Sequence, residues 1–406
     1  MVIVSQTTVS TLQQDCVIVL DVAARTHKFF DSVSADVDIS LASERRNLGV
    51  LFAIFQGATT VFELGHDVKL TQSPSIIQTM PSMQYFFSDT TFNTFAYFGQ
   101  PSVWPRGWPL TRVSETVSTV GLSASDTRTH RRPLIHHTVT DGVPDVDTTF
   151  LLTRVVQGLT PDIKFGTRVP VCAVGSGYLP LHAQATLFEQ DAVWAAGLAG
   201  DGHDADVVRG YWAQRVLRDI GGAVAVHGPV TRRTAMPAHT PDTLLVWLDH
   251  EVQRYASQSK LTSFLNTWTA PDTAATVCDV ATALATAMAA ERWWSMSGAK
   301  RVVDYITRLQ AVGYTCPPLA PPADNPSAGT LAASVEGTQF SLQPRSLKRE
   351  RVEAFATTTV VPWDAAQMQA RMATLWRNTL QLTSKDSRFD PIASYALVVA
   401  PTPTRM

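Results

Sequence analysis

Between Ser43 and Asp67 a helical pattern, a glycine and a β-branched strand follow one another without a gap, and this succession narrows the fold more than any other stretch. Ser43 stands where a capping hydroxyl belongs, charges fill the first turn, and Leu48, Leu51, Phe52 and Phe55 repeat at helical spacing. Gly57 sits at the position of a C-terminal cap. Thr59-Thr60-Val61-Phe62 reads as a strand that ends in the polar turn Glu63-Leu64-Gly65-His66-Asp67. A helix, a glycine turn and a strand with acids at its carboxyl end make the αβ unit of a parallel sheet, whose sites lie at that end.

At 406 residues, with 45% apolar and 17% charged side chains, the chain can bury a sizeable core and is not a disordered polymer. The net charge of −2 comes without a long basic run, which argues against a nucleic-acid partner. The densest basic cluster, Arg345 to Arg351, reads as a solvated helix start or linker. Cys16, Cys172, Cys278 and Cys316 show no CxxC spacing, so they point to neither a zinc site nor a redox pair, and their number is compatible with a lumenal compartment or any other. No run of 18 apolar residues predicts a transmembrane helix, Met1 to Thr11 lacks the features of a signal peptide, and there is no N-x-S/T sequon. The expectation is a soluble chain with no visible address.

Further signals follow in order. Cys16 to Leu20 is a buried-strand run, and the aromatic, proline-rich Tyr97 to Arg112 is an irregular segment that must cover a core or a ligand. Residues 113 to 132 read as an exposed excursion, Thr148 to Val155 as a strand, and Leu187 to Leu198 as a short helix. Asp206 to Ile220 is a helix closed by Gly221-Gly222, and Ala223 to Val226 a short strand. Helices are expected over Pro241 to Gln258, Thr273 to Ala290 and Gly298 to Val312. Residues 326 to 345 read as a linker with one strand, and Trp363 to Leu380 as a last helix.

Asp145 and Asp147, two apart in an extended segment, can face a common site and act on an acceptor hydroxyl or hold a metal; the bland alternative is a solvated turn. Arg209, Tyr211, Trp212, Gln214 and Arg215 open one helix. An arginine near a helix N-terminus opposes the dipole, a cost that a carboxylate or a diphosphate would offset. Trp104, Arg106 and Trp108 fit sugar stacking or aromatic–proline packing equally. His130, His136 and His137 read as solvated loop histidines, and no GxSxG, GxGxxG or P-loop pattern occurs.

Four stretches together resemble the STELLO family of Golgi glycosyltransferases: Glu44 to Ala58, Gly99 to Leu110, Asp141 to Asp147 with Leu152-Thr153-Arg154, and Arg209 to Arg215 with Gly221-Gly222. Their order and spacing match the family over roughly residues 16 to 320. The resemblance implies a GT-A-like α/β fold over residues 1–240, a helical extension over 241–320 within the same family region, and an unassigned linker and helix over 321–406. It also implies transfer of a hexose from a nucleoside-diphosphate sugar, such as a UDP-sugar, to a glycan acceptor, with Mn²⁺ or Mg²⁺ held at an acidic motif. Hard cations of this kind prefer carboxylate oxygens and neutralise the leaving diphosphate. Golgi residence and, as an open point, a homo-oligomer belong to the same expectation.

On these positions Glu63 and Asp67 are the expected metal ligands, with His66 beside them. Asp145 and Asp147 are expected to act on the acceptor, and Arg209, Tyr211, Trp212, Gln214, Arg215, Arg106 and Trp104 on the donor. Three features depart from the family. The acidic turn is not a strict DxD, and the family's earlier strand–helix–strand unit and membrane anchor have no visible counterpart. The Leu181 to Thr186 segment keeps one amide, Gln184, where the family carries asparagines. A non-catalytic relative serving as a binding or assembly module is therefore the alternative reading.

Overall fold

A computed structural model describes residues 2–5, 18–21, 28–33, 37–65, 67–78, 83–87, 91, 93–109, 120–123, 131–155, 162–200, 202–234, 241–320, 338–340 and 395–399. The strands are β1 (Val2–Ser5), β2 (Ile18–Asp21), β3 (Thr60–Gly65), β4 (Val68–Leu70), β5 (Gln84–Phe87), β6 (Val120–Ser123), β7 (Arg132–Gly142), β8 (Val171–Val174), β9 (Ala185–Glu189), β10 (Gly222–Arg233), β11 (Thr338–Phe340) and β12 (Tyr395–Val399). The helices are α1 (Phe29–Ser32), α2 (Ala42–Phe55), α3 (Ser75–Gln78), α4 (Thr94–Tyr97), α5 (Thr148–Val155), α6 (Ala205–Leu217), α7 (Pro241–Thr267), α8 (Val277–Ala290) and α9 (Met296–Ala311). The expected helix over Trp363 to Leu380 lies outside the described residues, as does most of the excursion at 113 to 132.

The described strands form one mixed sheet in the order β11-β6-β5-β8-β10-β7-β9-β3-β12-β1-β2, with β4 on β10. β7 and β10, β5 and β8, and β1 and β2 are parallel pairs. β3 is antiparallel to both β9 and β12, which corrects the expected parallel αβ unit. Its neighbours come from far along the chain, beyond what a local helix–strand succession can reveal. The architecture is nevertheless mixed α/β of the GT-A-like kind, followed by the helical part α7 to α9.

Alternation along β3 decides where its acid points. Val61 joins the main core beneath the helices, while Phe62 and Leu64 join a second core with Val68, Ile77, Leu187 and Val230 on the opposite face. Glu63 therefore shares the helix-side face with Val61. It lies inside a fully buried strand and not in the polar turn expected for it.

The main core is built on aromatic contacts. Trp212 of α6 meets Trp194 edge-on at 5.3 Å and Trp294 at 5.9 Å, and Phe29 meets Phe52 at 5.4 Å. α8 packs on α6 and α9, and α7 on α5 and α6. A disulfide joins Cys278 in the first turn of α8 to Cys316, 38 residues on, with Cα atoms 5.8 Å apart. Thr276 and Asp279 form a capping box at the same helix end. The cysteine pair had no signature because two thiols so far apart meet only through the turn after α9.

Several local expectations change. Thr148 to Val155 is the helix α5, since the Asp147 carboxylate accepts the Phe150 N–H at 2.8 Å and starts a helical turn despite the threonines. Leu187 to Leu198 is the end of β9 and a 3₁₀ stretch (Gln190–Ala196). Ser43 lies inside α2 and does not cap it. β10 runs well beyond Val226, and His136 and His137 are buried in β7 and not in a solvated loop.

Candidate functional site

The irregular segment after α4 crosses the Pro144-Asp145-Val146-Asp147 turn at the carboxyl end of β7. A β-bridge pairs Pro105 with Val146, and the residues on either side become cross-strand partners. On one side Arg106 donates from Nε and Nη2 to the two Asp145 oxygens, both at 2.9 Å. On the other side Trp104 Nε1 donates to Asp147 Oδ2 at 2.5 Å. Asp145 and Asp147 do face one region, and what they face there is the protein's own segment 104–106.

Arg106 is the hub. It also donates to both oxygens of Asp206 at the start of α6, at 3.0 and 2.7 Å, and to the His203 carbonyl at 2.5 Å. The bend after it depends on Gly107, whose φ is +91°. His182 Nε2 donates to the Arg106 carbonyl at 3.0 Å, so its ring proton sits on Nε2 and Nδ1 looks toward Asp145 at 3.8 Å.

α7 supplies a third wall. Glu251, Arg254, Tyr255 and Gln258 recur at helical spacing on one buried face. Glu251, with no exposed surface, accepts the Thr148 N–H at 2.8 Å and the Thr148 hydroxyl at 3.0 Å. Its Oε1 lies 2.8 Å from His203 Nε2. The His203 ring stacks on Trp247, with centroids 4.2 Å apart and planes 16° from parallel. Arg254 is ion-paired with Asp204, Tyr255 donates to Asp147 at 3.1 Å, and Gln258 donates to the Gly107 carbonyl at 2.6 Å.

These groups pull proton affinities apart. Burial alone would raise the Asp145 carboxyl, but the Arg106 guanidinium outweighs it and holds Asp145 far below the usual carboxylate range. Asp206 is set by the same contest, burial against Arg106, and ends at about 2. Glu251 goes the opposite way: burial, then the neighbouring Asp147 charge, raises it well above the ordinary value. Burial, then Arg106 and Arg254, lowers His203 well below its ordinary value. Burial pushes Arg254 down to about 9. Acids of opposite tendency thus stand in one buried cluster.

The other expected site residues take interior roles. Glu63 is engaged by two cations, Arg46 at 2.6 Å and Arg209 at 2.9 Å, and both guanidiniums also donate to the Ala196 carbonyl. The partner that compensates an arginine in α6 is therefore a carboxylate. Asp67 is held by Arg233, at 2.5 Å. His66 lies outside the described residues. Two acids already neutralised by arginines on separate elements do not fit a divalent cation, and no other group of three or more metal-type side chains occurs among the described residues.

Tyr211 donates to the Gly107 carbonyl at 3.0 Å, and Trp212 Nε1 to the Ala281 carbonyl at 3.1 Å. Gln214 brackets Leu179 through its N–H and its carbonyl, both at 2.8 Å. Arg215 pairs with Asp219 at 2.8 Å and lies over Trp268. Arg106, Asp145, Asp147 and Trp104 are thus brought together, and Tyr211 meets them only through Gly107. Sequence reasoning missed His182, His203, Asp206, Glu251 and Arg254. The available signal was the polar repeat Glu251–Arg254–Gln258 on the buried side of a helix.

A mixed α/β sheet with an acid–arginine–histidine cluster at the end of a parallel strand pair places the chain in the GT-A-like fold class, with the cluster where open α/β sheets carry their sites. No family model matches the chain. It is 31% identical over 300 residues to "Probable glycosyltransferase STELLO1" of Arabidopsis thaliana, covering 68% of this chain and 36% of that protein. It is 29% identical over 299 residues to "Probable glycosyltransferase STELLO2" of the same plant, covering 68% and 37%. The chain belongs to the STELLO family of glycosyltransferases, and it spans a little over a third of the length of these curated relatives.

Proposed function

We propose that this chain is a glycosyltransferase module that moves a hexose from a nucleoside-diphosphate sugar, a UDP-sugar in the simplest case, to a glycan acceptor. One observation carries the reading: Asp145, Arg106 and Asp206 form a buried, bidentate cluster at the carboxyl end of β7 in a chain related to probable glycosyltransferases. In this reading Asp145, about one-seventh exposed (14%) and kept ionised by Arg106, orients the acceptor hydroxyl. Asp147, wholly buried, shapes the floor through Trp104, Tyr255 and the start of α5. Glu63 and Asp67 hold the frame through their arginines, so no step is assigned to a metal there.

The disulfide supports residence in an oxidising lumen, which the proposal takes to be the Golgi. Among the described residues no helix is long and apolar enough to cross a membrane. The test is transfer from a panel of UDP- and GDP-hexoses to glycan acceptors, with Asp145→Asn as the variant. Turnover by the native chain, lost in Asp145→Asn at temperatures where that variant remains folded, supports the reading. A chain that binds nucleotide sugar with a cooperative melting shift but transfers nothing to any acceptor would instead be a binding module. Ligand at about 100 times its Kd should add about 2.7 kcal/mol of stability.

A further inference from the structure

Glu251 and His203 face each other inside the cluster but take no part in the acceptor role given to Asp145. Their geometry is that of a carboxyl group orienting an imidazole, arrived at here from two elements 48 residues apart. Three constraints fix the pair. The Thr148 N–H and hydroxyl hold the Glu251 carboxyl, Trp247 holds the plane of the ring, and Arg106 holds the His203 backbone through its carbonyl. Glu251 is sealed from solvent, whereas His203 keeps 13% of its side chain accessible. Nε2 is engaged by Glu251, so Nδ1 is the ring atom left to meet a substrate oxygen.

We propose that His203 and Glu251 form a proton-donating dyad that protonates the leaving oxygen of the nucleoside diphosphate. This assignment rests on the transferase reading above. The charged groups around the ring set the direction of transfer. Burial first, then Arg106 of the 103–109 segment and Arg254 of α7, disfavours an imidazolium, while Asp145 and Asp206 favour one and are outweighed. Asp147 disfavours a second carboxylate at Glu251. Asp204 is occupied by Arg254. The resting pair is then a neutral imidazole with its proton on Nδ1, accepting at Nε2 from a protonated Glu251.

In the reaction the bond from the anomeric carbon to the diphosphate oxygen breaks, its electron pair stays on that oxygen, and the Nδ1 proton moves there. The Glu251 proton shifts to Nε2. The acceptor oxygen forms the new bond to the anomeric carbon and loses its own proton to water; water then reprotonates the accessible Nδ1 of His203, and the Nε2 proton returns to the buried Glu251. The Thr148 N–H and hydroxyl stabilise the carboxylate formed in between. A proton supplied in this way neutralises the leaving group in a chain whose Glu63 and Asp67 are paired with arginines.

The experiment compares the native chain with His203→Asn and Glu251→Gln. Both should lower kcat with a UDP-hexose by about 100- to 10,000-fold while KM moves by less than about threefold. The native rate should fall as pH rises, and Glu251→Gln should abolish that fall. A 2,4-dinitrophenyl hexoside, whose leaving group needs no proton, should be used by the variants nearly as well as by the native chain. Equal losses on both donors, or full activity on both, overturn the dyad while leaving the transferase reading intact. If the native chain turns over neither donor, the transferase reading fails, and ¹⁵N spectra of the histidines then decide for the dyad. The His203 signal, assigned by His203→Asn, should show the proton on Nδ1 and a ring that stays neutral well below the ordinary imidazole range. A proton on Nε2, or titration near the ordinary value of about 6.5, overturns it.

Discussion

Arg106 shows how one side chain organises several acids. Its guanidinium has no arm to spare: Asp145 takes one edge, Asp206 the other, and the His203 carbonyl shares Nη1. Replacing it by methionine leaves two buried carboxylates unpaired and should cost about 3–5 kcal/mol, read as a lower urea midpoint. Lysine should rescue little, because one ammonium cannot make two bidentate contacts. Buried titratable groups also set the acid response. Burial, helped by the adjacent His182, pushes His137 down to about 3, and burial beside His136 does the same to His227. Between about pH 6.5 and 3 the unfolded chain binds protons there that the folded chain refuses, so stability falls as pH drops through that window. Asp206, at about 2 when folded, adds a loss as pH falls from about 4 toward 2. The urea midpoint should therefore decline from about pH 6.5 and more steeply below about 4; a midpoint constant from about pH 7 to 5 would refute the histidine part.

At the scale of elements, the route of the 103–109 segment depends on Gly107. A Cβ there would stand 2.6 Å from Val207 Cγ1 and would occupy the left-handed region, so Gly107→Ala should cost about 1–3 kcal/mol in backbone strain alone. It should also reduce transfer by moving Arg106, measurable as loss of kcat at temperatures where the variant is folded. The disulfide acts on α8 in the same local way. It closes a loop of 38 residues that includes α9, so Cys278→Ser should lower stability by about 3–4 kcal/mol. The change would be seen as a lower melting temperature matched by the reduced native chain. Cys172 is buried and its thiol is pushed up to about 12 by burial, so it should resist alkylation under the same conditions. Much of this level was legible in advance. The helices α2, α6, α8 and α9 fall close to their apolar repeats, since spacing along one helix is a local property. α5 departs from its strand pattern because its threonines favour strand while its start is decided by Asp147 accepting from Phe150.

Across the whole molecule, β12 lies antiparallel between β3 and β1 and links the β1–β2 pair to the rest of the sheet. Removing residues 395–406 should expose the β3 edge. Faster amide exchange at Val61 to Leu64 and a greater tendency to associate are the expected results. The four family segments are distant in sequence, yet three of them meet at one network. Gly99 to Leu110 supplies Arg106, Asp141 to Asp147 supplies Asp145, and the α6 segment closes the turn through Tyr211 and Gly107. Glu44 to Ala58 serves the frame instead, through Arg46 on Glu63 and Asn47 on Leu198.

By itself the sequence determined the long helices α2, α6, α8 and α9, the irregular aromatic segment, the acids after β7 and the family. Each of these is written in residues near one another or in a motif. Tertiary structure alone decided which charges meet. Glu63 finds Arg209 across 146 residues and Glu251 finds Thr148 across 103, and no local pattern encodes such pairs. An acid or an arginine carries the same letter whether it holds a substrate or another side chain. Its role is set by what remains unneutralised around it once the chain has closed, because a buried charge must find a partner.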